Sequence, residues 1–567
     1  MPAVSGPQKT AFAGSQRYIG IVLYNYDEAP GYGLDQIDNA IRNGSNLIEI
    51  CVHWDKIYAN RSSSANWSNI DAQIQRARQM GAKVAIRIAT AREFDRVGGF
   101  WTDQERQMSS DYRLLYRGRM THFSFAAGGP MQLARNFCQE VTNRYQYLRN
   151  DGSLLFMSVV PSPILEGEYS TLNTDDSGRE YFIPGDYSPI AIQAFRQWLQ
   201  GRFSLQQLNA RWGSAFGRWE DVGPLFVGRD NYYAAFSGQR GQDWWVFRNM
   251  MIKRYFDTMN SAIKGVNGSI DIINQHGSSW DSMSSLRGTL AFKSLQTFAD
   301  GVKLNDAPEY NHRWSMDLVR SNVKPGGWVG TEIDGLYYQS VPTEEFFNQI
   351  AASFEHGAQI VLFANFASVA QQGKMNQILA RVNSSGLMRQ SVPSINPSTT
   401  MYCSLGTVLR VGYAEGGFTG QWNTNYQNSG RQPVRVILNE DILSDAPAAP
   451  ENNTQPAPAP APAPAPTPVA SSPAPAPSSG SFAITTPTYD CNSGSLRMNV
   501  SGGNGTTQYM IPGLRGWSSS PDFNLPSWQR NGTTFTLFAQ QNGQEVSFSY
   551  TTSCSNSAPA PTPVASS

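Results

Sequence analysis

Charge is scarce in this chain and balanced where it occurs: Asp, Glu, Lys and Arg make up 16% of the 567 residues, against about 25% in an average soluble protein. Lys+Arg and Asp+Glu both number 44, giving a formal net charge of zero. With no long block of one sign, the polyelectrolyte surface that nucleic acid requires is excluded. No run of about 18 apolar residues exists, which excludes a membrane-spanning helix. The opening Met1-Pro2-Ala3-Val4-Ser5-Gly6 has neither the basic start nor the apolar core of a secretory signal. That leaves a cytoplasmic protein or a piece of a longer secreted one, and the second is the expectation here. Cysteine is sparse. Cys51, Cys138 and Cys403 are scattered, no C-x-x-C spacing occurs, and buried free thiols are the expected state. Cys491 and Cys554 bracket a small β-rich stretch that needs a staple. A disulfide there implies an oxidising, extracellular, periplasmic or cell-surface setting.

What is abundant points elsewhere. Apolar residues reach 40%, enough for a substantial core, and 14 Trp and 24 Tyr accompany 50 Gly. Aromatic rings stack on the flat C–H faces of sugars while amides and carboxylates meet their hydroxyls, so this balance suits an oligo- or polysaccharide partner.

An alternating Pro-Ala tract starting at Pro456 cannot form a packed core and favours extended polyproline II. The octapeptide APTPVASS occurs at 465–472 and again at 560–567, so a second spacer of the same kind is expected to begin where the sequence stops. The division read from this is a barrel over 1–384, a β-rich appendage over 385–450, a linker over 451–479, a small β-sandwich over 480–555 and the start of a second linker over 556–567. Eight β-branched runs alternate with helical patterns in the first of these: RYIGIVLY from Arg17, SNLIEICVHW from Ser45, AKVAIRIAT from Ala82, LLFMSVVPSPILEGEY from Leu154, IDIINQHG from Ile270, DGVKLND from Asp300, GGWVGTEID from Gly326 and AQIVLFANF from Ala358. Near-continuous apolar strands buried on both faces predict an α/β fold, a (β/α)₈ TIM barrel. An open doubly wound sheet is the alternative, but it normally shows a Gly-rich phosphate loop after an early strand, and this chain has none.

In such a barrel the site lies at the C-terminal strand ends. The fourth strand run closes on Glu166-Gly167-Glu168 and the seventh on Glu332-Ile333-Asp334. Those ends face each other across the mouth. Two carboxyls about 5 to 5.5 Å apart are what a retaining glycosidase needs, although a strand-end carboxylate also serves as a loop-tying ion pair. Position alone leaves both readings open. Glu166 and Glu168, two apart in a strand, share a face, so either could be the member of the pair.

The motifs LDQIDNAIRNGSNLIEICVHWDKI, AFRQWLQGRFSLQQLNARWGSAF with its Leu-Asn-x-x-Trp-Gly segment, DWWVFRNMMIKRYFDTM and SMDLVRS resemble, in order, glycoside hydrolase family 42, the β-galactosidase-like branch of clan A, over roughly residues 17–370. The resemblance implies a retaining glycosidase with Glu168 as general acid/base and Glu332 as nucleophile, and it implies neither a metal nor a cofactor. Arg119 stands where the family has a substrate-contacting Arg. The clan places Asn immediately before its acid/base Glu, where the amide bonds the sugar 2-hydroxyl; this chain has Gly167 there, which puts that contact in question. Trp54, Trp280, Trp314, Trp328 and Tyr337, at or just beyond strand ends, are candidate stacking residues, and His276 and Asn305 candidate hydroxyl ligands, each weighed against plain packing. Asp27 and Asp306 are too isolated for a calcium site. In the C-terminal module Tyr509, Trp517, Phe523 and Trp528 are read as a sugar-binding face or as part of a spacer. The other functions that fit are an endo-glycanase, a non-catalytic sugar-binding barrel and a cell-surface adhesion protein. Oligomeric state is left open.

Overall fold

The structure, a computed structural model, describes residues 16–277, 284–288, 293–306, 312–334, 341–365, 368–403 and 432–438, and further on 482–491, 493–502, 505–511, 515–525, 534–541 and 544–553. Eight parallel strands form one sheet: β1 (Tyr18–Leu23), β2 (Leu47–His53), β3 (Lys83–Ala89), β4 (Leu154–Val160), β5 (Ile273–His276), β6 (Gly301–Asp306), β7 (Trp328–Asp334) and β8 (Ile360–Ala364). Their order is β5-β6-β7-β8-β1-β2-β3-β4. A parallel bridge between Met157 and Ile272, with the Met157 amide donating to Asp271 O at 2.8 Å, links β4 back to β5 and closes the barrel. All eight expected strands are present. The fourth is shorter than its sequence suggests: it stops at Val160, and residues 161–169 leave the sheet.

Period-two alternation fixes what fills the interior. Tyr18, Leu47, Ile273, Trp328 and Ile360 pack together near the N-terminal ends of their strands. Two residues further along come Glu49 and Gln275, and four beyond Trp328 comes Glu332, with Arg87, Ser158 and Lys303 also buried. The lower barrel is therefore apolar and the layer beneath the mouth is polar.

Among the helices, α1 (Pro189–Gln200) starts on a Ser188 cap that accepts from the Ala191 amide, with Pro at its first turn. The following α2 (Leu205–Trp212) has a Ser204/Gln207 capping box and stops at Gly213, whose φ of 65° is the left-handed cap that glycine favours. This is the Leu-Asn-x-x-Trp-Gly segment, and its role is architectural. Leu208 is buried, and Arg211 and Trp212 all donate to Asp243 at 2.7 to 2.8 Å. Asp243 lies on α3 (Gly238–Val266), whose buried face carries Trp244, Trp245, Phe247 and Phe256.

Within the appendage, Thr400–Cys403 pairs in parallel with Arg435–Leu438. The second of these is tied to the helix α4 (His312–Asn322), since Asn322 donates to Val436 O at 2.8 Å and the Val434 amide donates to Asp317 at 3.1 Å.

The C-terminal unit consists of two antiparallel sheets of three and four strands around a core that includes Phe482, Leu496, Met498, Phe523 and Leu537. Phe523 is thus a core residue, which corrects its reading as part of a binding face; Tyr509 packs against the same core. Trp528 and the side chain of Trp517 lie outside the described residues. Cys491 is disulfide-bonded; its expected partner Cys554 is outside the described residues. Cys51 and Cys138 are buried free thiols, as expected. No helix among the described residues is long and apolar enough to cross a membrane. No group of three or more potential metal-binding side chains occurs among them either.

Candidate active site

Glu332 sits on the inner face of β7, fully buried, beside its register partner Asn305 on β6. One carboxyl oxygen, Oε1, accepts from the Tyr24 hydroxyl at 2.8 Å. The other, Oε2, accepts from both the Arg87 guanidinium and the Lys303 ammonium. Arg87 also donates to Glu49, and Gln275 donates to Glu49 and to Ser158. Burial pushes the Glu332 carboxyl up, but Arg87 and Lys303 outweigh it and hold the group down to about 2. Burial lowers Lys303 although Glu332 opposes the change. Arg87 cannot give up its proton in a protein, so it is the firm half of the counter-charge. An ionised carboxylate with one oxygen tethered by a phenol is in the charge state that nucleophilic attack requires.

The segment after β4 brings two more carboxyls to the same region. The Leu165 amide donates to Ser162 O at 3.0 Å, and the Glu166 amide donates to Ser162 Oγ, also at 3.0 Å. Leu165 takes a φ of 65° to close this turn. Arg87 reaches it as well, donating to Leu165 O at 3.1 Å, so one guanidinium ties both acidic segments together. The Gly167 amide then donates to Gln275 O at 2.6 Å, and His276 Nδ1 donates to Gly167 O at 2.9 Å. Burial pushes His276 down to about 4, so it is a neutral ring with its proton on Nδ1. A Cβ at position 167 would lie 2.2 Å from Gln275 O and 2.7 Å from Phe256 Cζ. The Asn that the clan places there has no room.

Glu166 accepts from Asn305 Nδ2 through Oε1. Glu168 lies 3.4 Å from Arg287 Nε through Oε2. Both carboxyls turn toward the bare Cα of Gly277, where a Cβ would meet Glu168 Oε2 at 2.1 Å and Glu166 Oε2 at 2.6 Å. The two oxygens are therefore no more than about 5 Å apart, a range in which like charges resist joint ionisation. Burial raises Glu166 to about 7; Arg287 opposes this and Glu332 adds to it. The site thus holds one carboxyl driven to ionise and another driven to keep its proton.

Other expected residues fall elsewhere. Arg119 is exposed and pairs with Asp95 at 2.5 Å and Glu93 at 3.6 Å. Trp54 is buried, stacked on Phe137 at 5.7 Å and set edge-on to Phe100 at 5.0 Å. Trp314 is fully buried on α4. Trp328 opens β7 at the opposite end of the barrel from the mouth, bonded to Asp271 at 3.3 Å. Trp280, Tyr337 and the side chain of Asp306 lie outside the described residues. Asp27 belongs to no metal-binding group among the described residues and accepts from the Ala29 amide at 2.9 Å. The residues that sequence reasoning missed are Tyr24, Glu49, Arg87 and Lys303. A charged residue at an inward position of an otherwise apolar strand was the available signal for the last three. Tyr26, just beyond β1, was also missed; it is 48% exposed with its ring 5.7 Å from that of Tyr24 and 5.4 Å from that of His53.

A barrel with three carboxyls at the strand ends can be compared with known proteins. Residues 176–382 match the glycoside hydrolase family 42 model, described as Beta-galactosidase. Over that stretch the chain is similar to the family 42 glycoside hydrolases. A β-galactosidase from the Antarctic haloarchaeon Halorubrum lacusprofundi is similar, with 12% identity and a TM-score of 0.55 over 74% of this chain and 66% of that one. A catalytic mutant of Gan42B, a family 42 β-galactosidase from G. stearothermophilus, matches with 13% identity and a TM-score of 0.56 over 75% of this chain and 66% of that one. The catalytic domain of a β-amylase from Paenibacillus polymyxa matches with 14% identity and a TM-score of 0.52, over 65% of this chain and 99% of that domain. At these identities the structures share the fold. The chain spans just under two thirds of the length of the two β-galactosidases. A search of curated proteins returns no match.

Proposed function

We propose that the barrel is a retaining, β-galactosidase-like glycoside hydrolase acting by a two-glutamate double displacement, with Glu332 as nucleophile and Glu168 as general acid/base. The observation that carries the reading is the opposed electrostatics of the strand-end carboxyls. Arg87 and Lys303 hold Glu332 ionised, whereas burial raises Glu166 against the opposing Arg287, which is ion-paired with Glu168. In the first step Glu332 attacks the anomeric carbon while Glu168 protonates the departing oxygen. In the second, Glu168 takes a proton from water, which displaces Glu332 and leaves the anomeric configuration unchanged. Tyr24 bonds Glu332 Oε1 throughout the resting state and orients the attacking carboxylate. The oxidised Cys491 and the Pro-Ala spacer support a modular protein outside the reducing cytoplasm.

A second reading keeps the class and changes the substrate. Gly167 removes the clan's amide, and the β-amylase catalytic domain is matched over 99% of its length, so a β-amylase-like specificity is the alternative. The test is release of nitrophenol from a panel of aryl glycosides and of sugar from polysaccharides. The intact protein is compared with Glu332→Ala and Glu168→Ala, and the anomer first formed is identified by NMR. Turnover of a β-galactoside with retention, lost in both variants, supports the reading. Inversion of configuration or action on glucan alone moves it to the alternative. Binding without turnover leaves a sugar-binding barrel.

A further inference from the structure

Glu166 is a buried carboxyl that the double displacement does not use, and its surroundings give it a task. Arg87 and Lys303 stand against Glu49 and Glu332 on the inner face. On the Glu166/Glu168 side Arg287 is ion-paired with Glu168. Among the described residues three cations thus face four carboxyls in this buried cluster, and a single bound proton balances these seven groups. Its place follows from the hydrogen bonds. The Asn305 amide donates to Glu166 Oε1, so that oxygen is an acceptor and a proton on Glu166 resides on Oε2. Oε2 is the atom that shares the space over Gly277 with Glu168 Oε2. Of the described groups beside the pair, His276 does not supply the proton, being a neutral ring that donates to Gly167 O.

We propose, on the basis of the glycosidase reading above, that Glu166 and Glu168 hold one proton between their Oε2 atoms, Glu166 being a positioning residue that keeps Glu168 supplied with it. The charge changes during the reaction fit this arrangement. When Glu332 becomes an ester of the sugar, its negative charge disappears from the cluster. At the same moment the pair gives its proton to the leaving oxygen and becomes doubly ionised. Water then returns a proton to the pair as Glu332 is released as carboxylate, so the total charge is the same before, between and after the two steps. Asn305, touching Glu166 and adjacent in register to Glu332, lies between the two sites that exchange charge.

The experiment combines a readout that needs no turnover with one that does. Difference infrared titration of the full chain at about pH 6 is expected to show one protonated carboxyl band that is missing from both Glu166→Gln and Glu168→Gln. Bands persisting in both variants overturn the proposal whatever the protein hydrolyses. With an aryl glycoside substrate, Glu166→Gln is expected to keep its KM and lose kcat at neutral pH. Its alkaline limb should move to lower pH by about one unit or more, because Glu168 loses its like-charged neighbour. Glu166→Asp should restore much of the limb. An unmoved limb overturns the proposal. So does loss in Glu166→Gln of substrates with poor leaving groups while activated ones survive, since Glu166 would then be the donor itself. Covalent trapping of Glu332 by a 2-fluoro glycoside reports separately on the double displacement.

Discussion

Arg87→Met removes the guanidinium that bridges Glu49, Glu332 and the Leu165 carbonyl while keeping most of its volume. Deleting one partner of a buried ion pair costs about 3 to 5 kcal/mol. The pH dependence tells the electrostatic part from the packing part. Glu332 is held at about 2 against an ordinary 4.5, which corresponds to about 3 kcal/mol of native stability at neutral pH. Because the folded value lies below the unfolded one, that contribution is complete above the ordinary value and is lost as pH falls toward about 2. The variant should therefore be least stable relative to the parent near pH 7, and the two should converge as the pH falls toward about 2. Urea unfolding followed by tryptophan fluorescence at three pH values measures this. A destabilisation that is the same at every pH would refute the electrostatic account and leave Arg87 as packing. Adding Glu49→Gln removes the carboxylate that Arg87 leaves behind and should recover part of the loss, a coupling expected only where the charges interact.

Gly167→Asn, which restores the clan's residue, should destabilise the barrel by about 1 to 3 kcal/mol and raise no activity, because its Cβ meets Gln275 O and Phe256; thermal melting and aryl glycoside turnover check it. Glu166→Gln should be more stable than the parent above about pH 7 and not below about pH 4. The folded value of about 7 exceeds the ordinary 4.5, so the parent loses stability as pH rises through this window, by about 3 kcal/mol in all. Tyr24→Phe deletes a hydrogen bond to an ionised carboxylate, and kcat/KM should fall about 10- to 100-fold with the melting temperature little changed. Tyr26→Ala removes an exposed ring beside that phenol; if it stacks on sugar, KM should rise about 2- to 10-fold at unchanged kcat.

The barrel was legible because each strand is apolar on both faces and short, a pattern that few other folds produce. The candidate carboxyls were legible for a related reason: the fold dictates that chemistry sits at strand C-termini, so two acids at the ends of strands four and seven stood out. What the sequence hid is anything that depends on where the chain turns. Read as a strand through Tyr169, the fourth run puts Glu166 and Glu168 on a common face by alternation. The strand in fact ends at Val160, and the two carboxyls meet over Gly277 because a Ser162–Glu166 turn redirects the chain. The conclusion survived while its reason did not. Trp54 and Trp314 were hidden in a different way: an aromatic near a strand end has the same letter whether it faces a sugar or a core, and only neighbours such as Phe100 and Phe137 decide.

Gly167 is the most informative of these cases. From sequence it is a missing amide, a loss that weakens the case for catalysis. In three dimensions it is the residue that lets the backbone bond Gln275 at 2.6 Å and lets Glu168 settle beside Glu166 and Arg287. A site that gives up a neutral hydrogen-bonding side chain and gains a second buried carboxyl has changed its means of charge control. On the proposed assignment the protonation of Glu168 then depends on carboxyl–carboxyl repulsion set against Arg287. Residue 167 should therefore be judged together with Glu166, because the same local packing that excludes an Asn brings the extra carboxyl within reach.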